Sequence, residues 1–146
     1  MAKNKFIFEK TVYLSDTNAE GNVYFAKYIE WQGHAREEFY RRFFPVDLWK
    51  SNLKLITVNA SIEYKHETTL YDEVQIEVKI ANIKHMSLDL LFNYTNKKNG
   101  MLIALGRQKI AFADSSGKLI EIPEQIKSRT SDFLADANES EKYSLR

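Results

Sequence analysis

One segment of this chain reads as a long helix, and it precedes most of the strand patterns. From Val23 to Phe43 there is no Pro and one internal Gly, and the segment opens after Asp16-Thr17-Asn18-Ala19-Glu20-Gly21-Asn22, a run of turn-forming and capping residues. At 100° per residue from Tyr28, the residues Ala35, Phe39, Phe25, Phe43 and Ile29 fall within an arc of roughly 120°, which is the predicted core face. Lys27, Glu30, His34, Glu37, Glu38 and Arg41 take the solvated side, with Glu37 and Arg41 in the favourable i,i+4 order. A helix of this length is about 30 Å long and needs a broad surface to pack on.

The remaining sequence supplies that surface. Phe6, Phe8, Val12 and Leu14 share one parity before the helix, and Pro45 with a short turn over residues 46–50 ends it. Four alternating segments follow: Ile56–Tyr64, Val74–Ile80, Met86–Tyr94 and Met101–Ala113, the last two joined through Lys97-Lys98-Asn99-Gly100, a hairpin turn. Long strands with tight turns after one long helix predict an α+β fold, an antiparallel sheet of five or more strands curled around that helix. Pro123 begins a short helix ending near Leu134, so residues 1–134 form one domain and residues 135–146 a flexible C-terminal tail. Leu91, Ile103 and Leu105 fall on the sheet's outer face, which predicts a homodimer or homotetramer that covers them.

Composition removes several function classes. With 146 residues, 21 Lys+Arg against 20 Asp+Glu and no concentrated basic stretch, the chain has no electrostatic case for nucleic acid or an acidic membrane. Apolar runs are far shorter than the ~18 residues of a membrane span, and the first ten residues hold no signal core. Zero Cys excludes thiolate metal sites, disulfides and a cysteine nucleophile and fits the cytoplasm. The three His lack ligand spacing, and there is no G-x-S-x-G, P-loop or G-x-G-x-x-G, so neither a metal nor a cofactor is expected.

Two helix residues break the pattern. Gln32 and Arg36 lie inside the apolar arc, and a buried guanidinium must find a partner, a cleft or a route by which its head reaches water. Periodicity alone leaves two readings of Arg36 open, a structural ion pair and an anion or oxyanion site. The turn before the helix is equally two-sided. Asp16, Asn18 and Asn22 can cap, while the N–H groups of Val23, Tyr24 and Phe25 lack intrahelical partners and face whatever negative charge lies there.

The run from Asp16 to Tyr28 resembles the helix-entry motif of hot-dog fold thioesterases of the 4-hydroxybenzoyl-CoA thioesterase type. Thr17-Asn18, Gly21-Asn22-Val23-Tyr24, Tyr28, Trp31-Gln32-Gly33 and Arg36-Glu37 are most similar to the thioesterases of enediyne polyketide pathways. Tyr71-Asp72-Glu73-Val74 and Gly106-Arg107-Gln108-Lys109-Ile110-Ala111 extend the resemblance over residues 6–125. It implies hydrolysis of an acyl-CoA or acyl-carrier-protein thioester, with a β-keto or polyketide chain among the candidates and an active site completed across subunits. Asn18, Arg36 and Tyr28 are then the catalytic residues, and Asn22, Val23, Tyr24, Gln32 and Glu67 the substrate-binding ones. Where the broader family has a catalytic Asp this chain has Asn18, and where many relatives have a helix Glu it has Gly33. Asn takes up no proton at neutral pH, so the resemblance implies positioning and oxyanion stabilisation in place of a carboxylate base. Two alternatives stay open: a conventional acyl-CoA thioesterase using Asp16, Glu67 or Asp72, and a non-catalytic acyl-binding protein.

Overall fold

The computed structural model describes residues 4–45, 50 and 52–143, so the predicted turn over residues 46–50 lies outside the described residues except for Lys50. Strand β1 (Phe6–Thr11) is followed by helix α1 (Phe25–Phe43), then β2 (Lys54–Tyr64), β3 (Glu73–Ala81), β4 (Ser87–Asn96) and β5 (Leu102–Ala113). Two short helices close the chain, α2 (Glu124–Thr130) and α3 (Ala137–Glu141). The five strands form one antiparallel sheet in the order β1-β3-β4-β5-β2, as an α+β chain with one dominant helix requires. Among the described residues no helix is long and apolar enough to cross a membrane.

Alternation decides which face meets the helix. Val74, Ile76, Val78 and Ile80 of β3 and Leu88, Leu90, Phe92 and Tyr94 of β4 are buried on the inner face, against Tyr28, Trp31, Ala35 and Phe39 of α1. Phe39 sits edge-on to both Phe6 (5.6 Å) and Phe133 (5.1 Å), tying β1 and the segment after α2 to the helix. The helix is seated differently from the prediction. Its buried residues are Tyr28, Trp31, Gln32, Ala35, Phe39 and Tyr40, whereas Phe25 is 61% and Ile29 38% exposed. Trp31, edge-on to Tyr28 at 5.3 Å, draws one flank of the helix under the sheet. The flank carrying Phe25, Ile29 and Arg36 turns toward β2, an edge strand that is itself mostly exposed. Gly33 also lies outside the packed seat, and a Cβ built there meets nothing within 4 Å. Gly33→Ala should therefore raise stability by about 0.5–1 kcal/mol in thermal unfolding; a loss would show that another molecule packs on this position.

The outer face is where the sequence reading needs correction. Leu91 and Leu105 do lie there, buried, but they are covered by Ala135 and Tyr143 of the same chain rather than needing a second subunit. Ile103 belongs to the inner core, because the register shifts between Tyr94 and Thr95 and carries it to the other face. The segment read as a flexible tail contains α3, whose N-cap Asp136 accepts from the Glu139 N–H at 2.8 Å, and Tyr143 behind it is buried.

Candidate active site

The start of α1 is built by backbone hydrogen bonds that the sequence does not reveal. Val23 donates its N–H to the Thr68 carbonyl (3.0 Å) and Tyr24 donates to the Asp16 carbonyl (2.9 Å), which is why the helix begins at Phe25 and not at Val23. Those two N–H groups, expected to be free, are consumed. Among the described residues the helix-end donors left without a backbone partner are instead those of Phe25 and Ala26, since Lys27 already donates to the Tyr24 carbonyl (2.9 Å).

Asn18 organises the loop beneath. Its Oδ1 accepts from the N–H groups of Glu20 (2.9 Å) and Asn22 (3.3 Å), and its own N–H donates to the Asn22 carbonyl (2.8 Å). With Oδ1 so engaged, the group Asn18 offers to anything outside the loop is the Nδ2 donor. Asn22 bridges across to Thr69, while Tyr24 is exposed with its ring against that of Phe25.

Beside this helix end lies a cavity of about 240 Å³ lined by Val23, Phe25, Tyr28, Tyr64, Lys65, His66 and Glu67. The Tyr28 hydroxyl stands 2.5 Å from the Thr68 hydroxyl, and Tyr64 donates its hydroxyl to the Phe25 carbonyl at 2.8 Å. Burial raises the Tyr28 phenol above its ordinary pKa despite the hydrogen bonds with Thr68, so at neutral pH it is a hydroxyl and acts as a hydrogen-bonding group, not a base. Of the three candidate acids only Glu67 lines this cavity. Asp16 Oδ2 accepts from the Tyr13 N–H (2.9 Å) and pairs with Lys10 (3.4 Å). Asp72 Oδ2 accepts from the Thr69 N–H (3.0 Å) and lines a larger neighbouring cavity that shares His66 and Glu67.

Arg36 is elsewhere in the protomer. It lies eight residues beyond Tyr28, about 12 Å along the helix axis. Its Nη1 donates to Thr57 Oγ1 (2.7 Å) and Gln108 Oε1 (3.0 Å), its Nε donates to Glu37 Oε2 (3.1 Å), and the guanidinium sits 5.7 Å from the centre of the Tyr40 ring. It borders a separate cavity of about 130 Å³ with Tyr40, Leu55, Thr57 and Ile110. Within one protomer the structure therefore brings Val23, Tyr28 and Glu67 to one cavity, keeps Asn18 and Asn22 in the loop before the helix, and leaves Arg36 at another cavity.

Gln32 links the two. Gln108 Nε2 donates to Gln32 Oε1 (2.7 Å), Gln32 Nε2 donates to the Ser61 carbonyl (3.3 Å) and the Tyr94 hydroxyl (3.4 Å), and Tyr94 donates to the Tyr28 carbonyl (2.7 Å). Gln32 is thus a wholly buried link between them. Its seat exists because residue 106 is Gly: a Cβ there would stand 2.2 Å from Gln32 Nε2. Gly106→Ala should cost about 1–3 kcal/mol in denaturant unfolding, since displacing the amide leaves buried polar atoms unpaired. The partners Thr57, Tyr64, Thr68, Tyr94 and Gln108 were missed by the sequence reading. Gln108, a polar residue on the parity of Ile110 in β5, was the one signal available.

One long helix packed on one face of a five-stranded antiparallel sheet, with a cavity beside the helix start, is the arrangement of a hot-dog fold. The profile of the Thioesterase-like superfamily matches residues 12–130, and the chain belongs to this family. It is a thioester hydrolase. It is 27% identical over 131 residues to the acyl-CoA thioesterase YbgC of Haemophilus influenzae, covering 87% of this chain and 95% of that one. It is 30% identical over 124 residues to a putative esterase of Aquifex aeolicus, covering 83% and 94%. Among solved structures the dynemicin thioesterase, described for polyene binding, superposes with a TM-score of 0.83 at 28% identity, covering 92% of this chain and all of that one.

Proposed function

We propose that the chain hydrolyses an acyl thioester borne on coenzyme A or an acyl carrier protein, without a side-chain carboxylate base at position 18. The observation that carries this reading is the cavity at the start of α1, lined by Phe25 and the protonated Tyr28, with the first helical N–H groups beside it and Asn18, which has only a donor to offer, in the adjoining loop. Water adds to the thioester carbonyl and the oxyanion is held by these donors. The C–S bond then breaks, the electron pair leaves with the thiolate, and the proton released by water passes to solvent. A thiolate is a good leaving group, so oxyanion stabilisation and a positioned water form a minimal site.

Arg36 enters this reading through a homodimer. The edge strand β2 and the exposed flank of α1 form the side of the protomer where a second copy brings its Arg36 to the helix start of the first. The acyl-CoA thioesterase relative supports a coenzyme A ester, and the polyene-binding neighbour supports an unsaturated chain as the acyl group. A β-ketoacyl substrate would release a β-keto acid, which can lose CO2 to give a methyl ketone. Mass spectrometry of products from a panel of acyl-CoA and acyl-carrier thioesters tests the reading; the expected result is free acid or ketone from at least one chain class. Acyl binding without release of thiol overturns it.

A second reading is favoured by one position. Glu67 borders the cavity and has the proton-accepting group that Asn18 lacks. Glu67→Gln should leave kcat close to that of the unsubstituted enzyme if Asn18 and the helix N–H groups carry the reaction. A loss of about 10²-fold or more would transfer the base role to Glu67.

A further inference from the structure

The outer face of the sheet is closed by the chain's own C-terminal segment, and that segment is held as a removable strap would be. It is anchored at the end of β1: Phe6, the first residue of that strand, pairs with Val78, and beyond this pair Leu134 bridges to Ile80 and Ala135 donates its N–H to the Ile80 carbonyl at 2.8 Å. From there the segment crosses to the outer face, where α3 brings Glu139 into an ion pair with Lys79 and lays Tyr143 over Leu91 and Leu105.

The cover fits the apolar atoms and pairs Lys79, but leaves two polar atoms of the face unsatisfied. Glu77 Oε2 and Asn93 Oδ1, cross-strand neighbours on this face, are buried without a hydrogen-bond partner among the described residues. Buried acceptors with no donor oppose seating of the strap, while the Leu91 and Leu105 contacts favour it, so the two tendencies offset each other. With the strap lifted, the face presents an apolar centre flanked by Glu77 and Lys79, the latter freed from Glu139. This pattern is self-complementary: in a two-fold pairing Lys79 of one copy supplies the donor that Glu77 of the other lacks.

We propose that residues 135–143 act as an assembly stop: seated, they keep a second copy of the chain off the outer sheet face, and released, they let two copies join through it. In the full-length double variant Glu139→Lys/Tyr143→Asp, the first substitution sets a positive charge against Lys79 and the second a negative charge against Glu77, so like charges lift the strap without altering the face. Light scattering at micromolar concentration should then give twice the mass of the unsubstituted chain, whatever that chain's own assembly is. Hydrogen exchange at the Ala135 amide should lose its protection in parallel. Adding Leu105→Lys, which charges the centre of the face, should return the mass to its starting value.

An unchanged mass with Ala135 deprotected overturns the assembly-stop role. An Ala135 amide that stays protected overturns the assignment of Glu139 and Tyr143 as what seats the strap. A doubled mass that Leu105→Lys does not reverse places the new contact elsewhere and also overturns the proposal.

Discussion

Replacing Arg36 by Met should lower the hydrolytic rate of the folded enzyme by about 10²–10³-fold while leaving the far-UV spectrum and the assembly unchanged. Methionine keeps the packed stem beside Tyr40 and Leu55 and removes only the charge. If the guanidinium serves its own protomer alone, holding Thr57 and Gln108, Arg36→Met changes stability and leaves the rate nearly intact. Arg36→Lys separates the cases further, because a point charge recovers part of an electrostatic role but not a forked contact with two acceptors.

The same variant tests where the charge acts. In a dimer whose sites each combine Asn18 of one protomer with Arg36 of the other, an equal mixture of Arg36→Met and Asn18→Ala proteins, exchanged at random, regenerates one intact site in every mixed dimer. The mixture should then recover about a quarter of the unsubstituted rate, although each parent is nearly inactive. A mixture as inactive as its parents would place both residues of a working site in one protomer. That outcome conflicts with the separation of Arg36 from the Tyr28 cavity and would overturn a site shared across subunits.

What the sequence made legible follows from periodicity, and what it concealed follows from contacts between distant segments. Alternation along β3 and β4 placed each residue on its face, since one face of a sheet must be apolar when a helix covers it. Ile103 escaped because a register shift between Tyr94 and Thr95 leaves no mark in local alternation. The wheel located the helix but misjudged its rotation, giving Phe25 and Ile29 the weight that Trp31 and Tyr40 carry. Hydrophobic patterning treats apolar residues alike, whereas a buried indole fixes the seat by its size. The tail shows the same limit: a polar stretch with one Tyr reads as loop until the leucines that Tyr143 covers are known.

The site was legible in its parts more than in its geometry. Arg36 and Gln32 stood out as polar residues on an apolar arc, and both prove to be members of one hydrogen-bonded chain that runs from the half-buried Arg36 to the buried Gln32. The free N–H groups were displaced by two residues, because Thr68 and Asp16 supply carbonyls to Val23 and Tyr24 from outside the helix. Thr68 comes from the loop after β2, 45 residues further along the chain than Val23, and capping rules concern only local sequence.

Asn18→Ala and Asn18→Asp should both lower turnover by about 10²-fold, and their equality is the informative result. The structure gives the two substitutions different consequences for the loop. An Asp at this position keeps an oxygen to accept from the Glu20 and Asn22 N–H groups, so the turn survives, while Ala removes that acceptor and should cost roughly 1 kcal/mol. What both lose is the Nδ2 donor. If Asn18 only shapes the turn, Asn18→Asp is silent in turnover and Asn18→Ala shows its effect in thermal unfolding rather than in kcat. If Asn18 donates to the carbonyl, the oxyanion or the attacking water, Asp fails as badly as Ala, since a carboxylate repels the negative charge forming at the helix start. An Asn18→Asp enzyme faster than the unsubstituted one would show that the site runs on a carboxylate base whenever one is supplied, and would overturn catalysis by positioning alone. Measured kcat for the two variants, set beside their unfolding midpoints, distinguishes these outcomes because the turn and the donor belong to different atoms of one side chain.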